Sequence, residues 1–296
     1  MKIDTHLHTT CSDGRNTVAE LFQTASRIRI ELMSVTDHDT LAAYPEAFDE
    51  AGRYKIALVP GMELSTRDEG RNKDVHVVGL KVDTDYAPLR HELKKLADAR
   101  LEARKKLLDR VNAYLAEKHE DWQPLRFEDV RRRVSGNIVG KPHIAAAIIE
   151  NAARAGLPVD EQELYRLFRQ PGIESKKAYE LTMEECIGLI DRAGGVAVLA
   201  HPCEYADPAE AMERFVRLGG RATELCKYRY KMKIPSISAL EPVYRPAVEH
   251  CMNEHIMTLA RRHGLKLTAS SDYHGKAGEP GMETGEYGID VSWLLD

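Results

Sequence analysis

Organised cysteine chemistry is missing from this chain. The five cysteines, Cys11, Cys186, Cys203, Cys226 and Cys251, are scattered, odd in number and include no CxxC pair. That spacing suggests neither a zinc knuckle nor a disulfide framework. No apolar run approaches the ~20 residues that cross a bilayer, and a strand-like Lys2–Thr5 begins the chain without a signal peptide. A cytoplasmic location with no membrane contact is therefore expected. A large charge of one sign is lacking too. The net charge of −5 exerts no global pull toward nucleic acid, so no stable nucleic-acid complex is expected. Internal repeats and low-complexity tracts are also absent from the sequence.

What is present is enough apolar material for a sizeable core, with 43% hydrophobic residues in 296. Short apolar runs alternate with helical patterns, which predicts an α/β fold, either a doubly wound sheet or a closed barrel. The strands are expected at Lys2–Thr5, Leu32–Thr36, Ala57–Pro60, Val75–Leu80, Val196–Ala200, Ala222–Leu225 and Leu265–Ala269. Between about Pro88 and Glu180 no buried strand is evident. Leu93, Leu96, Leu101, Leu107, Leu108, Val111 and Leu115 fall near helical spacing among many charges, and further helical stretches follow at 127–134, 142–155 and 160–168. The expected organisation is a core of residues 1–90 and 181–296 with a helical insertion domain at 91–180.

The chemistry-bearing residues gather where the apolar runs stop. The first run ends in His6-Leu7-His8, with Asp13 beside a tight turn at Gly14. Residues i and i+2 of a strand share a face, so both imidazoles can reach one ion. Taken alone, two surface histidines would explain this pair equally well. The second run ends in Asp37-His38-Asp39. Asp39 or Thr40 reads there as a helix cap, which leaves His38 unexplained. Glu63 is a lone carboxylate among apolar neighbours, costly to bury unless it is paired or metal-bound. His76 sits inside an apolar run, where a satisfied core histidine is the usual explanation. His201 closes the Val196–Ala200 run, and Asp272 and His274 follow the last one. The strength lies in the repetition. Nine nitrogen and oxygen donors without a thiolate, recurring at strand ends, describe a polynuclear hydrolase site rather than a structural zinc site. His91, His119, His250, His255 and His263 carry no such pattern, and Arg131-Arg132-Arg133 reads as a solvated helix face.

These motifs resemble the PHP (polymerase and histidinol phosphatase) family: HLHTTCSDG at 6–14, TDHDT at 36–40, GMELS at 61–65, HVVGL at 76–80, HP at 201–202 and SDYHG at 271–275. The subgroup most similar to this chain includes nucleoside 3′,5′-bisphosphate phosphatases and 5′→3′ exoribonucleases. The resemblance implies a distorted (β/α)7 barrel with a mainly helical insert and three divalent metal ions, manganese, iron or zinc. It implies a first metal on His6, His8, Glu63 and Asp272, a second on Glu63, His76 and His201, and a third on Asp13, His38 and His274, with Glu63 as the bridge. Gly140-Lys141-Pro142-His143-Ile144-Ala145 resembles the subgroup's G-R-P-H-x-A, and Ser175-Lys176-Lys177-Ala178-Tyr179 its G-K-P-A-Y. Lys141, His143 and Lys176 are thereby implied as substrate-phosphate ligands, although lysine lacks the bidentate fork of arginine. The stretch Glu224–Asn253 departs from the family pattern and is expected as an extension near the active face.

The expected reaction is hydrolysis of phosphate esters, of nucleotide 3′,5′-bisphosphates or short 5′-phosphorylated oligonucleotides, by a metal-activated hydroxide. Its catalytic residues are expected to be Glu63, His201 and Asp272. Lys141 or Lys176 would offset charge on the phosphoryl oxygens. Asp39 and His201 are options for the general acid. Competing readings are a small-molecule phosphatase such as histidinol-phosphate phosphatase, an amidohydrolase-type C–N hydrolase, and a non-catalytic, metal-stabilised interaction domain. The last is disfavoured because all nine ligand positions are filled.

Overall fold

The computed structural model describes residues 1–67, 70–134, 136, 138–275 and 278–296. Strand β1 (Lys2–Leu7) leads to helix α1 (Val18–Arg27), then β2 (Leu32–Val35), α2 (Tyr44–Tyr54), β3 (Ala57–Leu58), β4 (Gly61–Ser65) and β5 (His76–Leu80). Local sequence explains the punctuation. Thr17 Oγ1 accepts from Glu20 N at 3.2 Å while the Glu20 carboxylate accepts from Thr17 N at 2.8 Å, a reciprocal cap that starts α1. Val18, Leu21, Phe22 and Ala25 then fall on one face of that helix and are buried.

Four helices follow without a strand among the described residues between them: α3 (Ala87–Lys118), α4 (Phe127–Arg131), α5 (Lys141–Arg154) and α6 (Glu161–Leu167). The chain then runs through α7 (Met183–Arg192), β6 (Val196–Leu199), α8 (Pro208–Arg217), β7 (Ala222–Cys226), α9 (Pro235–Ser238), α10 (Arg245–His263), β8 (Lys266–Ser270), β9 (Met282–Glu283) and α11 (Thr284–Tyr287). The α/β class and the helical segment agree with the sequence reading.

The strands form two sheets, in the orders β3-β2-β1-β9 and β4-β5-β6-β7-β8, and not one continuous seven-stranded ladder. A regular (β/α)7 repeat would make every pair parallel, yet β4–β5 and β5–β6 are antiparallel. The reason for the first is local. Among the described residues no helix lies between β4 and β5, and a connection that short returns the chain antiparallel. The expected strand Ala57–Pro60 is shortened to Ala57–Leu58, which pairs with β2, and a further strand in the other sheet starts at Gly61, after Pro60, which has no N–H to donate to a ladder. Two seams join the sheets: a parallel bridge from Leu7 to Tyr273 and another from His38 to Glu63. Thr5 Oγ1 and Thr268 Oγ1, 2.6 Å apart, brace the first seam, and Asp39 N donates to Glu63 O at 2.9 Å across the second.

Among the described residues one apolar cluster packs α1 and α2 against the first sheet, and two others bear on the helical segment. Leu64, Val77, Leu80, Ile187, Ile190 and Leu199 belong to the cluster beneath the second sheet, and Leu107, Val111, Ile144, Ile148, Leu164 and Phe168 to a separate one in the helical segment. Helix α3 feeds both. Its first half supplies Leu89, Leu93 and Leu96 to the former, and its second half supplies Leu107, Leu108, Val111 and Leu115 to the latter.

Candidate metal centre

The two seams bring the strand ends to one place, and the nine sequence-derived side chains meet there around Glu63. Glu63 Oε1 lies 2.7 Å from His76 Nδ1 and 3.2 Å from His201 Nε2. Its Oε2 lies 2.9 Å from His38 Nδ1, 3.2 Å from His6 Nε2 and 3.3 Å from His8 Nε2. One carboxylate thus touches five imidazoles. Asp272 Oδ1 completes a group with His6 and His8, at 3.5 and 3.1 Å. Asp13 Oδ1 lies 3.4 Å from His274 Nε2 and 3.9 Å from both His38 Nε2 and His8 Nδ1.

His76 reaches the centre in a way the sequence did not suggest. It opens β5 rather than sitting within it, and because β5 runs antiparallel to β4 its first residue lies opposite Ser65, beside Glu63. Backbone strain marks three other positions, with φ of +28° at His201, +50° at Asp272 and +52° at Asp39.

Outer contacts orient the rings. His6 Nδ1 donates to Glu224 Oε1 at 2.9 Å, and His274 Nδ1 to the Asp272 carbonyl at 2.9 Å, which leaves each Nε2 lone pair facing inward. Glu224 also accepts from His201 N at 2.8 Å. Burial works to raise the Glu63 carboxyl, but the charges of His38, His6 and His76 outweigh it and hold Glu63 well below the usual carboxylate range.

This donor set fits divalent cations. Glu63 Oε2, His38 Nδ1 and Asp13 Oδ1 are buried yet make no hydrogen bond of acceptable direction among the described residues, despite approaches near 3 Å for the first two. Lone pairs that converge on shared points without satisfying one another are what an ion site requires, and their burial would otherwise be costly. Among the described residues, three groups have ligand atoms mutually within 4.8 Å: His6, His8, Glu63 and Asp272; His8, Asp13, His38 and His274; and His38, Glu63 and His76. The first equals the implied first set. The second adds His8 to the implied third set. The last holds His38 where His201 was implied, although His201 also contacts Glu63.

The substrate candidates are placed less evenly. Lys141 is half-buried at the start of α5. Burial and then the Arg104 charge hold its ammonium below the usual lysine value, while Asp74 opposes them. Gly140 brings α5 against the centre, since a Cβ there would lie 2.9 Å from Asp13 Cβ. His143 Nδ1 accepts from Gly140 N at 3.0 Å, so one ring nitrogen caps its own helix. Lys176 has an 83% exposed side chain, 3.9 Å from Glu174. Its neighbour Lys177 is the inward lysine, with Arg100 and Asp39 in its electrostatic surroundings.

Asp39 is engaged as a carboxylate. Arg100 binds its Oδ2 through Nε at 3.0 Å and also through an NH2 group, and Ser65 N donates to its Oδ1 at 3.4 Å. Burial raises Asp39, but the Arg100 and Lys177 charges outweigh it, and the net shift is downward. That arrangement is unsuited to proton donation, so the general-acid option for Asp39 is not supported.

Sequence reasoning missed Glu224, Arg100, Arg104, Glu204 and Lys231. Glu224 gave the same signal as Glu63, a lone carboxylate in an apolar run. Arg100 and Arg104 occupy the buried register of α3, in line with Leu93, Leu96 and Leu107, a signal hidden by the helix's many charges. Lys231 lies in the extension expected near the active face, where nothing set it apart from the other basic residues.

Comparison with known proteins agrees with this geometry. The PHP domain model matches residues 4–249. The chain is 31% identical over 280 residues to the 5′-3′ exoribonuclease Rnm of Salmonella typhimurium, covering 92% of this chain and 84% of that one. It is 28% identical to the 3′,5′-nucleoside bisphosphate phosphatase of Chromobacterium violaceum, covering 96% and 90%. Among solved structures, an amidohydrolase from Chromobacterium violaceum superposes with a TM-score of 0.76 at 24% identity over 96% of this chain and 92% of that one, a likeness of fold. The strand-end ligand clusters and the family match over most of the chain agree, and the chain belongs to the PHP domain family.

Proposed function

We propose that the chain is a metal-dependent phosphoesterase acting on nucleotide 3′,5′-bisphosphates or short 5′-phosphorylated oligonucleotides, with three divalent ions of manganese, iron or zinc on its nine ligands. The observation that carries this is the convergence of five imidazoles on Glu63, flanked by Asp13 and Asp272. The substrate class rests on the names of the relatives and on the cationic start of α5. We take the two bridged sheets as a distorted barrel, residues 91–180 as the inserted domain, and the cytoplasm as the site of action. Among the described residues no helix is long and apolar enough to cross a membrane.

Bound divalent cations supply positive charge that offsets the phosphoryl oxygens and acidifies a water. The chain's own residues do the rest. Glu63 presents both oxygens, one toward His76 and His201 and one toward His6, His8 and His38, which suits a bridging role. Glu224 holds His6 and the His201 backbone in place. Lys141 offers an ammonium for a phosphate at the rim. Asp39, engaged by Arg100, fastens α3 to the strand ends.

The test is a substrate panel. Metal-reconstituted enzyme is presented with adenosine 3′,5′-bisphosphate, 5′-phosphorylated oligoribonucleotides, histidinol phosphate and a ribose cyclic phosphate diester, and the products are identified. The cyclic diester belongs in the panel because a relative at 28% identity, from Eggerthella lenta, is a phosphoribosyl 1,2-cyclic phosphate 1,2-diphosphodiesterase. One of the first two should give the highest kcat/KM. Preference for either of the others would replace the substrate assignment, and failure on every phosphate ester would overturn the phosphoesterase reading.

A further inference from the structure

Behind Asp272 and His201 lies a second set of charges that the reaction scheme has not used. Lys231, in the extension after β7, is 9% exposed. Its ammonium donates to Asp272 Oδ2 and lies 3.2 Å from Glu204 Oε1. The other oxygen of Asp272 points the opposite way, toward His8 Nε2 and His6 Nε2. Glu204 Oε2 pairs with the Lys233 ammonium and lies 3.8 Å from His201 Nδ1, while His201 Nε2 faces Glu63. An unbroken path of charge therefore runs His201–Glu204–Lys231–Asp272, linking ligands from two strand ends through residues that belong to neither strand.

Two physical points give this path a purpose. Asp272 has a left-handed backbone, so regular strand geometry does not set the direction of its carboxylate. A cation on Oδ2 leaves only Oδ1 to face the centre. Burying an ammonium between two carboxylates is also costly, and a surface lysine would avoid that cost. Imidazole ligands commonly have a carboxylate on the outer nitrogen to fix the ring, and Glu204 faces that nitrogen of His201 as a charge contact at 3.8 Å rather than a hydrogen bond.

Building on the metal-centre reading, we propose that Lys231 and Glu204 are positioning residues: Lys231 fixes Asp272 with one oxygen inward, Glu204 orients His201, and the 227–233 segment thereby completes the ion site. The extension is part of the centre rather than a cover over it.

The test titrates metal-free full-length protein with Mn²⁺ and Zn²⁺ and compares wild type with Lys231→Met, Glu204→Gln, the double variant and Lys231→Arg. Melting temperatures serve as the folding control. The double variant removes both charges together, so a misfolded single variant does not end the test. Affinity at the weakest ion site should fall about 10–100-fold in the single variants. On p-nitrophenyl phosphate, kcat at limiting metal should fall with KM nearly unchanged, and Lys231→Arg should recover most of both losses. Unaltered metal affinity in folded Lys231→Met and in the double variant would overturn the inference. So would a raised KM with intact metal affinity, because Lys231 would then be touching substrate. Wild type that takes up no metal would overturn the metal-centre reading beneath it.

Discussion

The candidate ligands and the candidate substrate residues are held in place differently. The ligands arise at the ends of short buried strands, and each ring or carboxylate is fixed by neighbours from other strands, as Glu224 fixes His6 and Glu63 gathers five imidazoles. Lys141, His143 and Lys176 arise on a segment with its own apolar cluster, which approaches the centre through Gly140 beside Asp13. The first region is constrained by geometry that tolerates little change. The second can vary while the ligands stay put. Relatives with this family's fold can thus share one hydrolytic centre and differ in what they bring to it.

The sharpest way to break the comparison is at Glu63. Glu63→Gln keeps the shape and removes the charge that faces five imidazoles. Turnover should fall by at least about a hundredfold, with circular dichroism and melting cooperativity retained; near wild-type turnover at full metal content would remove Glu63 from the bridging position. The next effect is on stability. Arg100→Met strands Asp39 as an unpaired buried carboxylate and should cost roughly 3–5 kcal/mol in urea unfolding. Arg100→Met with Asp39→Asn should cost clearly less, and equal costs would mean the pair is not coupled. Stripping metal with a chelator should lower the melting temperature by about 4 °C for each ion lost, from roughly 2.7 kcal/mol of linkage at a hundredfold excess over Kd. An unchanged melting curve would argue against a structurally coupled centre.

On the insert, effects should be smaller and substrate-dependent. Lys141→Ala should reduce kcat/KM on a bisphosphate by about ten- to a hundredfold, equivalent to ~1.5–3 kcal/mol for a charge-assisted hydrogen bond, with metal content intact. p-Nitrophenyl phosphate should suffer less. Lys176→Ala should be nearly silent because its side chain is exposed, whereas Lys177→Ala, next to the Arg100–Asp39 pair, should not. If Lys176→Ala proved the more damaging of the two, the loop would have to close over substrate in a way this conformation does not show.

The clustering of the candidate ligands was legible in the sequence because most are polar residues at the edge of an apolar run, where burial demands a partner. The same rule reads Glu224 once applied evenly. Helices were legible from the spacing of leucines. Sheet topology was not, because strand direction depends on connection length and on where Pro60 releases the chain from one sheet to the other. Lys231 was illegible for a different reason. Its partner Asp272 lies 41 residues away, and nothing near Lys231 in sequence distinguishes it from its solvated neighbours.

Helix α3 is a single continuous element whose two halves answer to different cores. Leu89, Leu93 and Leu96 are packed beneath the second sheet, Leu107 to Leu115 inside the helical segment, and Arg100 between them grips a strand-end residue. Anyone exchanging this segment between relatives to transplant specificity could not cut at the loops before and after it. The crossover would have to fall inside the helix, after Arg100, so that the recipient keeps its own root and accepts only a foreign branch.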